Sequence, residues 1–376
     1  MKRFFAIVAI ATAMMFASCS EDPYQSGIQS GGENDESEEL LPAKDGRVAI
    51  AYVTYYGKSI PDPMLMTHIN YAFAELYVKD GVYKGFKLQG NEDRFRQVVA
   101  LKKKNPNLKI SLSFSHTVTN EDNSPQGGGF SALAKSDEYR KAFAKDCRDF
   151  CSKWGIDGID IDWEFPGLSW SGHACDPSVD VENHVLLMKQ LRETLGTRYL
   201  LTYAGYVKNV IETDEGRKYI DIAAVDPYVD FVNVMTYDMD SAPSHQSALR
   251  DKSAYVDCER AIKAYTDAGV AASKLVLGIP FYGRMSFDKS PGAIDYNKII
   301  MLDKNDYKID NWDSDANVPY VTYKGTYYCG YDNEKSIAIK GDWIRSLGMK
   351  GMMYWDYNAD DNQHTLCKAV WQAVMK

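Results

Sequence analysis

GIDGIDIDWEFPG, residues 155–167, sets four carboxylates, Asp157, Asp160, Asp162 and Glu164, inside an otherwise apolar run. Side chains alternate along a β-strand, so Asp160, Asp162 and Glu164 share one face while Ile159, Ile161, Trp163 and Phe165 share the other. Asp157 is out of phase with the acidic series and reads as structural. Just upstream, Tyr139, Phe143, Cys147, Phe150, Cys151 and Trp154 recur at helical spacing, which predicts an amphipathic helix over 136–154 capped by Ser136. A helix on the strand's apolar face, with the acidic face turned inward, is the local unit of a β/α barrel.

Seven further short apolar or β-branched runs extend the pattern, at 47–56, near His68, from Leu108, from Tyr199, from Asp230, from Lys274 and from Gly351. Amphipathic segments separate most of them: 91–104, 136–154, 179–195, 253–268, 334–347 and 362–375. The first connection, GKSIPDPMLMT, is too short and proline-rich for a helix. This alternation predicts an α/β fold, a closed (β/α)8 TIM barrel, with an open doubly wound sheet as the alternative. The gap between the seventh and eighth strands, about 285–332, is too long for a loop. It is rich in tyrosine, so a short α+β insertion is expected there.

A net charge of −9 without any basic stripe argues against nucleic acid. MKRFFAIVAIATAMMFASCS, residues 1–20, has a basic start, an apolar run and small residues before Cys19, the form of an export signal. FASC resembles a bacterial lipobox, and the acidic SED that follows resembles a surface-export signal of lipoproteins. Residues 1–18 are therefore expected to be a lipoprotein signal peptide, with Cys19 lipidated and the mature protein exported and anchored to a bacterial outer membrane. The polar, acidic, Gly/Ser-rich segment 19–44 reads as a flexible tether, and 45–376 as the barrel domain. The other six cysteines and the six histidines form no CxxC, zinc or HExxH pattern, so no catalytic metal and no cofactor is expected. The acidic run also lacks the glycine and terminal glutamate spacing of an EF-hand loop.

In a β/α barrel the reactive groups gather where strands end. Glu164 stands just before Pro166 and Gly167, while MTYD and YWDY end their strands in the same way. Tyr237, Asp238 and Trp355 should therefore converge on one mouth, with Met235 on the same face as Tyr237.

With these residues in place, the chain resembles glycoside hydrolase family 18, the chitinase family. DGIDIDWE looks like that family's DGxDxDxE signature. INYAFA, VNVMTYD, LVLGIPFYGR, VPY and YDNEKSIAIKGDWIRSLGMKGMMYWDY follow in the family's order over 47–376. The resemblance implies a glycosidase that uses the substrate's own N-acetyl oxygen in place of a second catalytic carboxylate. Glu164 would be the acid and then the base, and Asp162 would hold the acetamido N–H. Asp160 would share a proton with Asp162, and Tyr237 would steer the acetyl group. Trp355 would floor the distorted sugar, and Asp238, Met235, Tyr282, Arg284, Tyr71 and Phe73 would line the subsites. The partner implied is an oligo- or polysaccharide containing N-acetylglucosamine, bound by a monomer held at a membrane through its N-terminal lipid.

The third barrel strand departs from the family's Ser-x-Gly-Gly ending. It reads Ser113, Phe114, Ser115, His116, and these larger side chains are expected to narrow or reshape the mouth. Two other readings stay open: an endo-β-N-acetylglucosaminidase acting on N-glycan cores, and a glycan-capturing lipoprotein without turnover. Lectin-like relatives typically lose the acid, whereas Glu164 is present here.

Overall fold

The computed structural model describes residues 40–115, 129–168, 175–207 and 219–376. The expected signal peptide, Cys19, tether residues 19–39 and His116 lie outside the described residues.

Eight parallel strands close into a barrel: β1 (Val48–Thr54), β2 (His68–Lys79), β4 (Lys109–Ser115), β5 (Gly158–Asp162), β6 (Leu200–Gly205), β7 (Phe231–Val234), β8 (Leu275–Pro280) and β14 (Gly351–Trp355). β1 pairs with β2 on one side and β14 on the other, and this closure excludes the open sheet. Each predicted strand is present. Helices α1 (Glu92–Val99), α3 (Asp137–Trp154), α4 (Asp180–Leu195), α6 (Cys258–Asp267), α8 (Glu334–Ser346) and α9 (Thr365–Met375) occupy the amphipathic segments, and α2 (Gly129–Lys135) and α5 (Ile222–Val225) add two short ones. Ser136 caps α3 by accepting from the Tyr139 amide, as its position predicts. No helix fills the proline-rich connection between β1 and β2.

Strand alternation divides the core in two. Outward side chains such as Ile159, Ile161 and Leu112 pack under the helices. Inward ones build the barrel interior in layers, with an apolar plug of Val48, Ile50, Phe231 and Val276 at the bottom and Met353, Phe73, Tyr237 and Trp355 nearer the mouth. Asp157 lies off this axis. It accepts from the Ile110 amide at 2.9 Å and from Lys102 Nζ at 2.6 Å, a structural tie between strands.

Two regions add to the barrel. β2 outruns its neighbours and turns back as β3 (Val82–Leu88), an antiparallel hairpin. The insertion is a five-stranded antiparallel sheet, β9 (Tyr282–Arg284), β10 (Ala293–Asp295), β11 (Tyr307–Asp313), β12 (Val318–Tyr323) and β13 (Thr326–Gly330), with the single-turn helix α7 (Tyr296–Ile299). The sheet begins at Tyr282, slightly before the expected boundary.

The end of the expected tether is held rather than free. Trp371 Nε1 donates to the Leu41 carbonyl at 2.7 Å, and the Leu41 amide donates to Gln372 at 3.2 Å. Residues 40–44 therefore run against α9. The six cysteines among the described residues are all free thiols, and Cys147 and Cys151 are buried on α3.

Candidate active site

Asp160 sits at the centre of the polar layer, fully buried, with donors from five different strands around it. Oδ2 accepts from Tyr52 Oη (2.7 Å), Asn70 Nδ2 (3.0 Å) and Ser113 Oγ (2.9 Å). Oδ1 accepts from Thr202 Oγ1 (2.5 Å) and Asn233 Nδ2 (3.2 Å). A buried carboxylate is tolerated when its lone pairs are satisfied, and here every partner is a donor. The sequence reading gave none of the five this role, and it did not single out Tyr52, Asn70, Thr202 or Asn233 at all. Their signal is a lone polar group at an inward position of an apolar strand, as in FVNVM and LLTYAG.

Asp162, one inward position further along, hydrogen-bonds Asp160. Burial, the Asp160 charge and Glu164 together hold its carboxyl well above the usual range. Asp162 thus carries a proton that it shares with Asp160. Its Oδ1 is buried without a hydrogen-bond partner, an acceptor whose capacity is unused.

Glu164 follows at the mouth, half-buried. Burial first, and the Asp238 charge second, push its carboxyl up to about 8. A carboxyl that keeps its proton near neutrality can act as a general acid.

Across the mouth Arg284 forks onto Asp238, with Nε 2.8 Å from Oδ1 and Nη2 2.7 Å from Oδ2. The guanidinium lies between the rings of Tyr282 and Phe287, 5.3 and 5.2 Å from their centroids. Tyr237 is inward on the segment after β7, its ring 6.4 Å from that of Tyr282 and its hydroxyl 3.9 Å from Met353 Sδ. It has this room because position 278 is glycine. A Cβ there would stand 2.8 Å from Tyr237 Cε1 and 2.6 Å from the Val234 carbonyl oxygen. Met235 is half-buried between the two parts of the core. Trp355, at the end of β14, lies 5.6 Å from Phe73 in a stacked arrangement and 5.6 Å from Tyr52. Its neighbour Asp356, buried and accepting from the Asn358 amide, is pushed up to about 6 by burial and was missed from the sequence.

Two expectations need correction. Tyr71 does not reach the mouth. It is fully buried on the barrel's outer face, edge-on to Phe95 of α1 at 4.9 Å. Alternation along β2 turns Asn70 inward and Tyr71 outward, and an irregularity between Ala72 and Ala74 then lets Phe73 face the cleft. Phe114 does not narrow the mouth either. It points outward against Phe86 and Phe143, so the described inward groups of that stretch are the small hydroxyls of Ser113 and Ser115.

A buried Asp pair, a proton-holding Glu at the rim and an aromatic floor stand together on the inner face of a closed barrel. A family model for glycosyl hydrolases family 18 matches residues 48–360 of this chain. The chain belongs to glycosyl hydrolases family 18. Chitinase A1 of Niallia circulans is 28% identical over 83% of this chain. The class V chitinase CHIT5 of Lotus japonicus is 29% identical over 62% of it. The matched regions cover 55% and 65% of those two proteins, so this chain spans only part of their length. Among solved structures, a family 18 N-acetylglucosaminidase from Paenibacillus barengoltzii superposes with a TM-score of 0.72 at 28% identity. That match covers 87% of this chain and 99% of the other. The cell-surface-expressed chitinase ChiW of Paenibacillus sp. str. FPU-7 gives 0.73 at 27% identity, covering 87% of this chain and 42% of its own.

Proposed function

We propose that this family 18 barrel is a chitinase-like glycosidase. It hydrolyses β-1,4 bonds that follow an N-acetylglucosamine unit, with retention of configuration and with the substrate's acetamido oxygen as nucleophile. The observation that carries the reading is the pairing of Glu164, whose carboxyl is raised to about 8, with the unpartnered Oδ1 of Asp162 on the same strand face.

Glu164 gives its proton to the glycosidic oxygen as the bond to the anomeric carbon breaks. The acetamido carbonyl oxygen forms the new bond to that carbon, making an oxazolinium ion. Asp162 accepts the acetamido N–H through Oδ1 and stabilises the charge that develops. The Asp160 cradle fixes Asp162 in that orientation. Water then attacks the anomeric carbon from the face the leaving group vacated. Glu164, now a carboxylate, takes the water's proton, and the oxazolinium opens to the acetamido sugar. Tyr237 donates its hydroxyl to the acetamido oxygen, Trp355 on Phe73 supports the apolar face of the sugar, and Asp238 with Arg284 and Tyr282 borders the next unit.

Export and lipid anchoring through Cys19 belong to the same proposal, supported by the lipobox-like FASC. Metabolic labelling with a fatty-acid probe should tag wild type and leave Cys19→Ala unlabelled.

The test of activity is product release from N-acetylglucosamine hexamer beside a glycoprotein carrying high-mannose N-glycans, with wild type and Glu164→Gln. Dimers and trimers released by wild type alone support the proposal. Trimming of the glycoprotein alone would move the substrate to N-glycan cores. Hexamer bound without product from either would make the chain a capture protein.

A further inference from the structure

The end of the barrel away from the mouth carries a charge opposite to that of the chain as a whole. Strands enter the barrel there and helices finish there, so cations far apart in the sequence meet on one face. Lys44, Lys103, Lys104, Lys153 and Arg198 are exposed on it and pair with no carboxylate among the described residues. Two carboxylates are each shared by two cations, Asp157 by Lys102 and Lys109, and Asp342 by Arg345 and Lys376. Asp45 and Glu193 are the exposed carboxylates of this face that no cation answers. The face has a positive surplus in a chain whose net charge is −9.

The surplus surrounds a recess between the turns that lead into β5 and β6, lined by Gly155, Asp157, Arg198 and Tyr199. Lys102 reaches its rim, donating to the Gly155 carbonyl at 3.1 Å. Lys153 and Arg198 lie over the rings of Trp154 and Tyr199, which hold their stems on the surface. A helix C-terminus draws a cation to itself, and Lys153 and Arg192 serve α3 and α4 in that way. The run Lys102–Lys104 and Arg198 go beyond that need.

Large apolar side chains stand exposed among these cations. Met64 follows Pro63, whose carbonyl accepts from Asn105 beside Lys104 at 2.9 Å, and Leu347 ends α8. Leu40 and Leu41, exposed as well, lie against the last turns of α9, where Lys44 donates to the Lys376 carbonyl. The segment read from the sequence as a tether therefore joins the barrel at this same end.

We infer that the basic face opposite the mouth docks on an anionic lipid surface, its cations on headgroup phosphates, and so holds the cleft facing away from the membrane. The export reading above supplies the membrane, and the docking needs no lipid on the chain. Lysine and arginine answer the phosphates, while exposed leucine and methionine enter the interfacial layer beside them. The acidic mouth does not oppose this contact. α3 alone has 18 residues, about 27 Å of helix, and charges are screened beyond about 8 Å at physiological salt, so the membrane meets only the face turned to it. A mouth turned to the bilayer would shut out a long polysaccharide, and this orientation leaves it open.

The test is sedimentation with vesicles, using the chain from residue 19 onward with Cys19→Ala so that no acyl group contributes. Vesicles of phosphatidylcholine mixed with phosphatidylglycerol should bind it, and vesicles of phosphatidylcholine alone should not. Lys103→Gln/Lys104→Gln/Arg198→Gln should weaken the binding about a hundredfold, the scale of three cations near a charged surface. Lys304→Gln/Lys308→Gln/Lys335→Gln removes the same charge from the insertion side and should leave binding unchanged. Both variants alter exposed side chains and should melt with wild type. Equal binding to the two kinds of vesicle, or equal loss in the two variants, would overturn the inference. So would a chain that ignores both vesicles and uses this face to bind duplex DNA or a second copy of itself. Loss of fatty-acid labelling at Cys19 would remove the anchor alone, and the vesicles would still decide the surface.

Discussion

Arg284 and Asp238 meet in a two-pronged ion pair, 2.8 and 2.7 Å, on the side of the mouth facing Glu164. Asp238 is the charge that adds to burial in raising Glu164 to about 8, so the Arg284 contact sets how strongly that charge is felt. Glu164 must be protonated to act as an acid, and activity should fall as pH rises through its pKa. Asp238→Asn removes the like charge and should move this alkaline limb to lower pH. Arg284→Met leaves Asp238 unneutralised and should move it to higher pH. Profiles of kcat/KM against pH check the pair, and shifts in the same direction would contradict this coupling.

The same raised carboxyl bears on stability. Glu164 has a folded pKa of about 8 against a model value of 4.5, so the native state binds the proton more tightly than the unfolded chain. Between those two values the native state holds more protons, and the Glu164 contribution to stability falls as pH rises through that window. Glu164→Gln removes the penalty. The variant should be more stable than wild type at pH 8, by about 4 kcal/mol, and indistinguishable at pH 4. Urea melts at the two pH values measure the difference.

Asp160 has no substitute for its two acceptor oxygens. Asp160→Asn replaces one acceptor by a donor facing donors, and should cost about 2–3 kcal/mol of stability. With it Asp162 loses the partner that shares its proton, so kcat should drop about a hundredfold with less change in KM. Thr202→Val removes a single donor and should cost about 1 kcal/mol.

Lys340 and Asp332 form an ion pair in which both side chains are fully buried, 2.7 and 2.9 Å apart, with Ser247 and Ser336 also donating to Asp332. Ser247 belongs to the loop that follows Tyr237 and Asp238, so this pair ties α8 to the mouth. Lys340→Met leaves the aspartate charge alone in the core and should destabilise by about 3–5 kcal/mol. Thermal melting checks the size, and a near-neutral result would contradict the weight given to this buried pair.

The strands were legible because each carries a strict alternation or an apolar run, and the acidic triad because three carboxylates at period 2 have few other uses. What escaped reading depended on register. Tyr71 and Phe73 have the same parity in INYAFA, and only the irregularity at Ala72/Ala74 separates their faces. The hairpin after β2 had a signal that went unread, the Asp80-Gly81 pair between two strand-like runs. Both residues have positive φ, 53° and 74°, as a tight hairpin turn requires. The donors around Asp160 come from strands far apart in sequence, and no local pattern links them. The insertion's length and tyrosine content announced a subdomain, but its strand order follows from antiparallel pairings that the chain does not state locally.

The measurement that bears most directly on the account is the anomeric form of the first product. Proton NMR of N-acetylglucosamine hexamer mixed with wild type should show the β-anomer of the new reducing end appearing first and mutarotating afterwards, with no signal from Glu164→Gln. The α-anomer appearing first would mean direct attack by water. It would contradict the acetamido nucleophile and the roles given to Asp162 and Tyr237.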